Sequence, residues 1–269
     1  MFEHILVATD FSPAWPLLRQ RLETFAESGR TVTLVHVLST RYPAVPEVLH
    51  RPYYEQRLSE EAAELQALGF TVCWQIRTGE PGMELTTAAA EADADLLLLG
   101  SRGHGRAYAF LLGSTALDAA RTTSIPLWLE PIERSTARLR DTLLLATDGS
   151  ESALAAERMF IALRPRFSRA MAMTCTAGTG EAEQAEALAH LAALAKDGDG
   201  VETHVILEDP ITAIVSMARD LSAGLVIVGK RGRNPIVDLL LGSTAEAVCR
   251  NAACAVLLVP SAPSPAPSN

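Results

Sequence analysis

The sequence predicts two tandem doubly wound α/β domains, each a five-stranded parallel sheet with helices on both faces. Three observations predict it. The chain repeats itself: residues 5–12 read ILVATDFS and residues 143–150 read LLLATDGS, while residues 96–115, LLLLGSRGHGRAYAFLLGST, return as residues 225–244, LVIVGKRGRNPIVDLLLGST. Short apolar runs alternate with helical patterns in each half, as expected of parallel strands joined by helical crossovers. Finally, runs such as LLLLG and LVIVG are continuously apolar rather than alternating, which fits strands buried on both faces.

In order, the first half reads as strands at 3–9, 31–37, 71–77, 95–100 and 125–129, with helices at 14–28, 53–68, 81–92 and 114–122. The second half repeats the pattern, with strands at 141–147, 169–175, 201–207, 224–229 and 255–259. Right-handed crossovers wind such a series into a doubly wound sheet. Its ligand crevice lies at the carboxyl ends of the strands, where the strand order reverses.

The repeat also locates the boundaries. Asp10 pairs with Asp148 at an offset of 138 and Gly100 with Gly229 at an offset of 129, so the first half carries nine extra residues (138 − 129) between these landmarks. The Pro-rich stretch 39–55 is the expected site of the insertion. The charged segment 130–140 separates the halves, giving a first domain at 1–132 and a second at 140–260, and the Pro/Ser-rich residues 261–269 read as a disordered tail.

Composition excludes several classes. With 48% hydrophobic and 20% charged residues, the chain is not intrinsically disordered. A net charge of −9 and a pI near 5.2 exclude nucleic-acid binding by bulk electrostatics. No apolar run approaches the ~20 residues a bilayer requires, and MFEHILVATDF reads as a strand rather than an export signal. Cys73, Cys175, Cys249 and Cys254 lack CxxC spacing and lie in apolar runs, so they read as buried free thiols in a reducing compartment. A cytoplasmic protein is expected, with no membrane and no nucleic-acid partner.

The repeated motif carries the chemistry: Gly, two residues, Gly, nine residues, then Gly-Ser-Thr. Gly100 and Gly103 allow a tight turn after a buried strand, and the bare backbone there admits a ligand close to its N–H groups. Gly113-Ser114-Thr115 opens a helix, with Ser114 placed as its N-cap. A helix N-terminus beside such a loop is an anion site. Local charge agrees, since Arg102 and Arg106 lie in the first loop and Lys230, Arg231 and Arg233 in the second, within an acidic chain. Ordinary solvated loop arginines are the plainer reading of one copy; two copies in register favour a phosphate site. Asp10 and Asp148 end the first strand of each half, where a carboxylate accepts from a ribose hydroxyl, holds Mg²⁺ through water, or caps the following helix.

Other signatures are missing. There is no GxxxxGK[ST], no GxGxxG after the first strand of either half, and no GxSxG around Ser114 or Ser243. The six histidines show no metal-ligand spacing, and Glu60/Glu61 read as a solvated pair. No acid–base–nucleophile set assembles, so no catalytic residue is assigned.

TDFS and TDGS after the first strands, VHV at 35–37 and the two glycine motifs together resemble the universal stress protein family, in its ATP-binding branch, over nearly the whole chain. The resemblance implies an ATP site in each half. Ala8, Thr9 and Asp10 would line the ribose and adenine, with Val37 touching adenine through its backbone. Gly100, Arg102, Gly103, Gly113, Ser114 and Thr115 would surround the phosphates. In the second half Ala146, Thr147 and Asp148 match the first group, and Gly229, Arg231, Gly232, Gly242, Ser243 and Thr244 the second. AMAMTC at 170–175 departs from VHV, leaving the equivalent of Val37 unassigned. The resemblance further implies edge pairing of the last strands, here 126–130 and 255–259, as an intramolecular pseudo-dimer with homodimerisation open. A stress-responsive ATP-binding sensor or regulator is the expected function. The alternatives are a weak ATP hydrolase or phosphotransferase, and a nucleotide-free scaffold.

Overall fold

The computed structural model describes residues 2–12, 15–26, 29–40, 51–101, 112–131, 142–176, 180–232 and 241–261. The chain divides into two units, Met1–Glu133 and Arg134–Asn269. Among the described residues the first unit holds β1 (His4–Ala8), α1 (Trp15–Glu23), β2 (Thr31–Ser39), α2 (Arg51–Ala67), β3 (Thr71–Gly79), α3 (Pro81–Glu91), β4 (Leu96–Gly100), α4 (Ser114–Thr122) and β5 (Leu127–Glu130). The second holds β6 (Thr142–Ala146), α5 (Leu154–Leu163), β7 (Arg169–Cys175), α6 (Glu181–Asp197), β8 (Val201–Ile206), α7 (Pro210–Asp220), β9 (Leu225–Gly229), α8 (Ser243–Asn251) and β10 (Ala255–Val259).

Within the first unit the strands run β3-β2-β1-β4-β5, every neighbouring pair parallel. Within the second they run β8-β7-β6-β9-β10, again all parallel. The order reverses between β1 and β4 and between β6 and β9, so each unit has one switch point. Leu96–Leu99 and Leu225–Val228 are almost fully buried, as their unbroken apolar runs require.

The outer strands depart from this pattern. β3 alternates irregularly between exposed and half-buried positions because it has a neighbour on one side only. Cys73 is therefore exposed, correcting its reading as a buried thiol; Cys175 is intermediate, Cys249 and Cys254 are buried, and all four are free. Helix α1 ends at Glu23, short of the predicted 28. Turn bonds from Thr24 and Phe25 to Arg21 and Leu22, and Gly29 at φ +91°, take the chain out of the helix.

Two buried charge clusters escaped the sequence reading. Arg21 donates from Nε and a terminal nitrogen to both carboxylate oxygens of Glu130, at 2.7 and 2.8 Å, and Trp128 Nε1 donates to Glu130 at 3.0 Å. Glu61 is not solvated: it is buried on α2, with Arg19 at 3.8 Å and Arg57 at 3.7 Å.

Candidate functional site at the switch points

The switch point of each unit is assembled by the same few backbone bonds. At the end of β1, Thr9 N donates to Val35 O at 2.9 Å, and Ser12 N to Asp10 Oδ1 at 2.9 Å. At the end of β6, Thr147 N donates to Met173 O at 3.0 Å, and Ser150 N to Asp148 Oδ1 at 3.0 Å. After β4, Ser101 N donates to Glu130 O and Gly113 N to Ser101 O; after β9, Lys230 N donates to Val259 O and Gly242 N to Lys230 O. The last of these bonds ties the start of α4 or α8 to the end of its neighbouring strand. The chemistry-bearing ends of the glycine motif thus meet although twelve or so residues separate them in sequence.

The residue after each aspartate has a left-handed backbone, Phe11 at φ +55° and Gly149 at φ +68°. Gly149 occupies that region without cost, whereas a phenylalanine there is strained by about 1–3 kcal/mol. Aromatic packing holds Phe11 in place: its ring stacks on Tyr54 at 5.9 Å and lies 5.2 Å from His36, whose Nδ1 is 2.8 Å from Thr9 O. In the second unit, where Gly149 needs no such support, Glu157 receives a hydrogen bond from Thr147 Oγ1 and pairs with His190 Nε2 at 2.7 Å.

In the second unit these elements enclose a cleft of about 410 Å³, within the range of roughly 300–1,000 Å³ usual for small-molecule sites. Ala146, Thr147, Asp148, Gly229, Arg231, Gly232, Gly242, Ser243 and Thr244 all line it, so every residue nominated in that half is brought together. Sequence reasoning missed Met173, Cys175, Pro210, Ile214 and Val228, which share the lining with Lys230 and Arg231. Register would have found Cys175: Ala8 pairs with Val35 and Ala146 with Met173, so the position two beyond, Val37 in β2, corresponds to Cys175 in β7. Burial, with Asp209 and Glu208 nearby, pushes the Cys175 thiol up to about 11.

In the first unit Ala8 ends β1 and Thr9 and Asp10 follow it, Val37 lies on β2, Gly100 ends β4, and Gly113, Ser114 and Thr115 open α4. Arg102 and Gly103 lie outside the described residues.

One local expectation is corrected. Ser114 is not the N-cap of α4 but its first helical residue. Gly113 is the cap, extended at φ −62°, ψ 150°, and accepts no help from a capping side chain. Gly242 caps α8 in the same way at φ −68°, ψ 146°. The bond from each glycine N–H to the preceding strand end fixes this extended residue just before the helix, and the cap itself offers no side chain to the first-turn amides.

Gly232 is the tightest of the three motif glycines in the second unit. A Cβ there would lie 2.7 Å from Asp148 Oδ2, which means the carboxylate packs directly on bare backbone. Burial and the adjacent Arg231 push the Lys230 ammonium down to about 8. Among the described residues no group of His, Cys, Asp and Glu is arranged to hold a metal ion, and no helix is long and apolar enough to cross a membrane.

Fold and cleft together define a class: a tandem α/β protein of two units with the same parallel-sheet switch point, the second of which places a glycine-lined, partly cationic cleft there. The chain matches the Universal stress protein family over residues 1–130 and 140–260, and it belongs to that family. A universal stress protein of Methanocaldococcus jannaschii is 36% identical over 78 residues, 29% of this chain and 46% of that protein. The match thus spans about half the length of that relative. Among solved structures, a universal stress protein from Archaeoglobus fulgidus superposes with a TM-score of 0.79 at 21% identity, covering 97% of both chains. A protein of unknown function from Pseudomonas aeruginosa superposes with a TM-score of 0.74 at 16% identity, over 97% of this chain and 93% of that one. At these identities the two superpositions speak for the fold.

Proposed function

We propose that this universal stress protein binds ATP in each unit and acts in the cytoplasm as a nucleotide-responsive sensor or regulator rather than as an efficient enzyme. One observation carries the reading: the residues nominated from the glycine repeat of the second half line a single cleft at the switch point, together with apolar side chains and the cations Lys230 and Arg231. Such a mixed lining suits an adenine nucleotide. Met173, Cys175, Ile214 and Val228 offer an apolar surface for the base, and Asp148 offers a carboxylate to the ribose hydroxyls. Arg231, the bare backbone at Gly229, Gly232 and Gly242, and the open amides of α8 with Ser243 and Thr244 offer donors to the phosphates. A Mg²⁺ accompanying ATP would be held through water by Asp148 and the phosphates. In the first unit Ala8, Thr9, Asp10, Val37, Gly100, Arg102, Gly103, Gly113, Ser114 and Thr115 take the matching roles.

The test is mass spectrometry of small molecules released from the purified protein, followed by calorimetric titration with ATP. Adenine nucleotide is expected at up to two per chain. Gly232→Val, whose side chain displaces the Asp148 carboxylate, is expected to remove one of the two binding events while the fold survives, because the displaced atom is the end of a flexible side chain. Protein that releases no nucleotide and gives no heat with ATP would sink the proposal.

A further inference from the structure

At the matched position after β4 and β9 the two units share their backbone bonds but not their side chain. Ser101 and Lys230 each follow the first motif glycine, donate their N–H to the last strand, and accept at their carbonyl from the glycine that caps the next helix. The helix openings match too, Gly113-Ser114-Thr115 against Gly242-Ser243-Thr244. The described backbone amides that open α4 and α8 therefore match. Where the first unit has Ser101, the second has Lys230, which is among the residues lining the cleft, is 7% exposed and is followed by Arg231 in the same lining. Asp148 is the one carboxylate among the described lining residues.

Building on the nucleotide reading above, we propose that Lys230 makes the second cleft selective for the charge of the phosphate chain, favouring a nucleoside triphosphate over a monophosphate, while the first cleft, with Ser101 in its place, discriminates less. Amides at a helix N-terminus amount to about half a positive charge and serve one phosphate. A full cation withdrawn from water gains with each further phosphate it faces, because little solvent remains to screen it. The compact, flexible ammonium of lysine follows whichever oxygens a longer chain presents, where a guanidinium favours one planar geometry.

Its proton supplies an independent readout. Burial and Arg231 hold Lys230 near 8, and a bound polyanion moves it back up. Near pH 8 the triphosphate therefore binds with uptake of part of a proton at this site. Among the described residues the other ionisable groups on the surrounding elements include Arg231, Asp148 after β6, Glu157 in α5 with its partner His190, Cys175 at the end of β7, Glu208 and Asp209 before α7, and Glu246 in α8. Carboxylates and guanidinium groups ordinarily titrate far from pH 8, and Cys175 is pushed to about 11.

The experiment is calorimetric titration of the full chain with ATP and AMP near pH 8, in buffers of different ionisation enthalpy, for the wild type, Lys230→Met and Lys230→Arg. In the wild type one of two sites is expected to lose about tenfold or more in affinity from ATP to AMP, with proton uptake on ATP binding. Lys230→Met should reduce that ratio to about threefold or less and abolish the uptake. Lys230→Arg should keep the ratio but not the uptake. A Lys230→Met protein that retains both the wild-type ratio and the uptake overturns the role of Lys230 and leaves nucleotide binding intact. Failure of the wild type to bind either nucleotide overturns the nucleotide reading and this inference with it.

Discussion

Lys230 is one of only two lysines in the chain, and the cost of its position is readable in its chemistry. Its folded-state pKa lies near 8 against an ordinary 10.5, so folding disfavours its proton. The sign follows from linkage: between these values the unfolded chain binds the proton and the folded chain does not, so this group's contribution to stability rises with pH across that window. Below pH 8 the full penalty stands. Lys230→Met, similar in length and without charge, is therefore expected to be more stable than the wild type at pH 7 by about 1–3 kcal/mol. That advantage should shrink as pH rises from 8 towards 10.5. Paired denaturant titrations at pH 7 and pH 9.5 measure it; a variant less stable than the wild type at pH 7 would show that Lys230's contacts outweigh its desolvation. On the nucleotide proposal, that cost is offset by what Lys230 would bind. Phe11 has the same character. It sits in a left-handed conformation beside the Asp10 turn, where the second unit has Gly149, and the stack with Tyr54 and His36 holds it there.

Between elements, the two units solve one packing problem in two ways. In the first, Arg21 of α1 and Glu130 of β5 form a bidentate buried pair capped by the Trp128 indole. In the second, Val259 occupies the place of Glu130, since Gly100 pairs with Glu130 and Gly229 with Val259, and Met159 falls at the place of Arg21 by the repeat offset. The matched positions in the second unit thus carry apolar residues where the first has an ion pair. Removing one partner leaves a buried charge, so Arg21→Met and Glu130→Val should each cost about 3–5 kcal/mol. The double variant restores an apolar match and should cost clearly less than either single change, the residue of the loss being the unpartnered Trp128 N–H. Denaturant unfolding of the three variants decides this, and additive losses would count against it. The same comparison explains what could be read in advance. Strands such as Leu96–Gly100 and the glycine spacing were legible because a buried parallel strand and a bare loop each leave a local mark. The Arg21–Glu130 pair was not, because 109 residues separate its members and neither has a local signature. Glu61 looked solvated beside Glu60, since only the packing of α2 decides which of two adjacent carboxylates turns inward. The partner of Val37 was hidden because β7 shares no residue pattern with β2; strand register, a non-local property, identifies Cys175.

At the scale of the whole molecule, each unit has its own five-stranded sheet and buried core, and so its own free energy of unfolding. A ligand that binds only the folded state stabilises the unit holding it by about 2.7 kcal/mol when present at a hundred times its dissociation constant. For units of this size that raises the melting midpoint by about 10 °C. With a nucleotide site in each unit, saturating ATP should shift the entire calorimetric unfolding profile of the wild type upward. Gly242→Val separates the two contributions. A Cβ at Gly242 would sit 3.3 Å from Lys230 O and 3.7 Å from Arg231 Cα, tight but short of a clash, so the variant should fold. The rest of the valine side chain stands at the mouth of α8, where the phosphates would lie. Differential scanning calorimetry of the variant should then show ATP raising the transition of the first unit alone, resolving two transitions that overlap or coincide without nucleotide. The ATP-free scan of the same variant supplies the baseline for any destabilisation caused by the valine. If ATP moves the whole profile of Gly242→Val as it does the wild type, the start of α8 does not touch the phosphates, and the site lies elsewhere on the second unit.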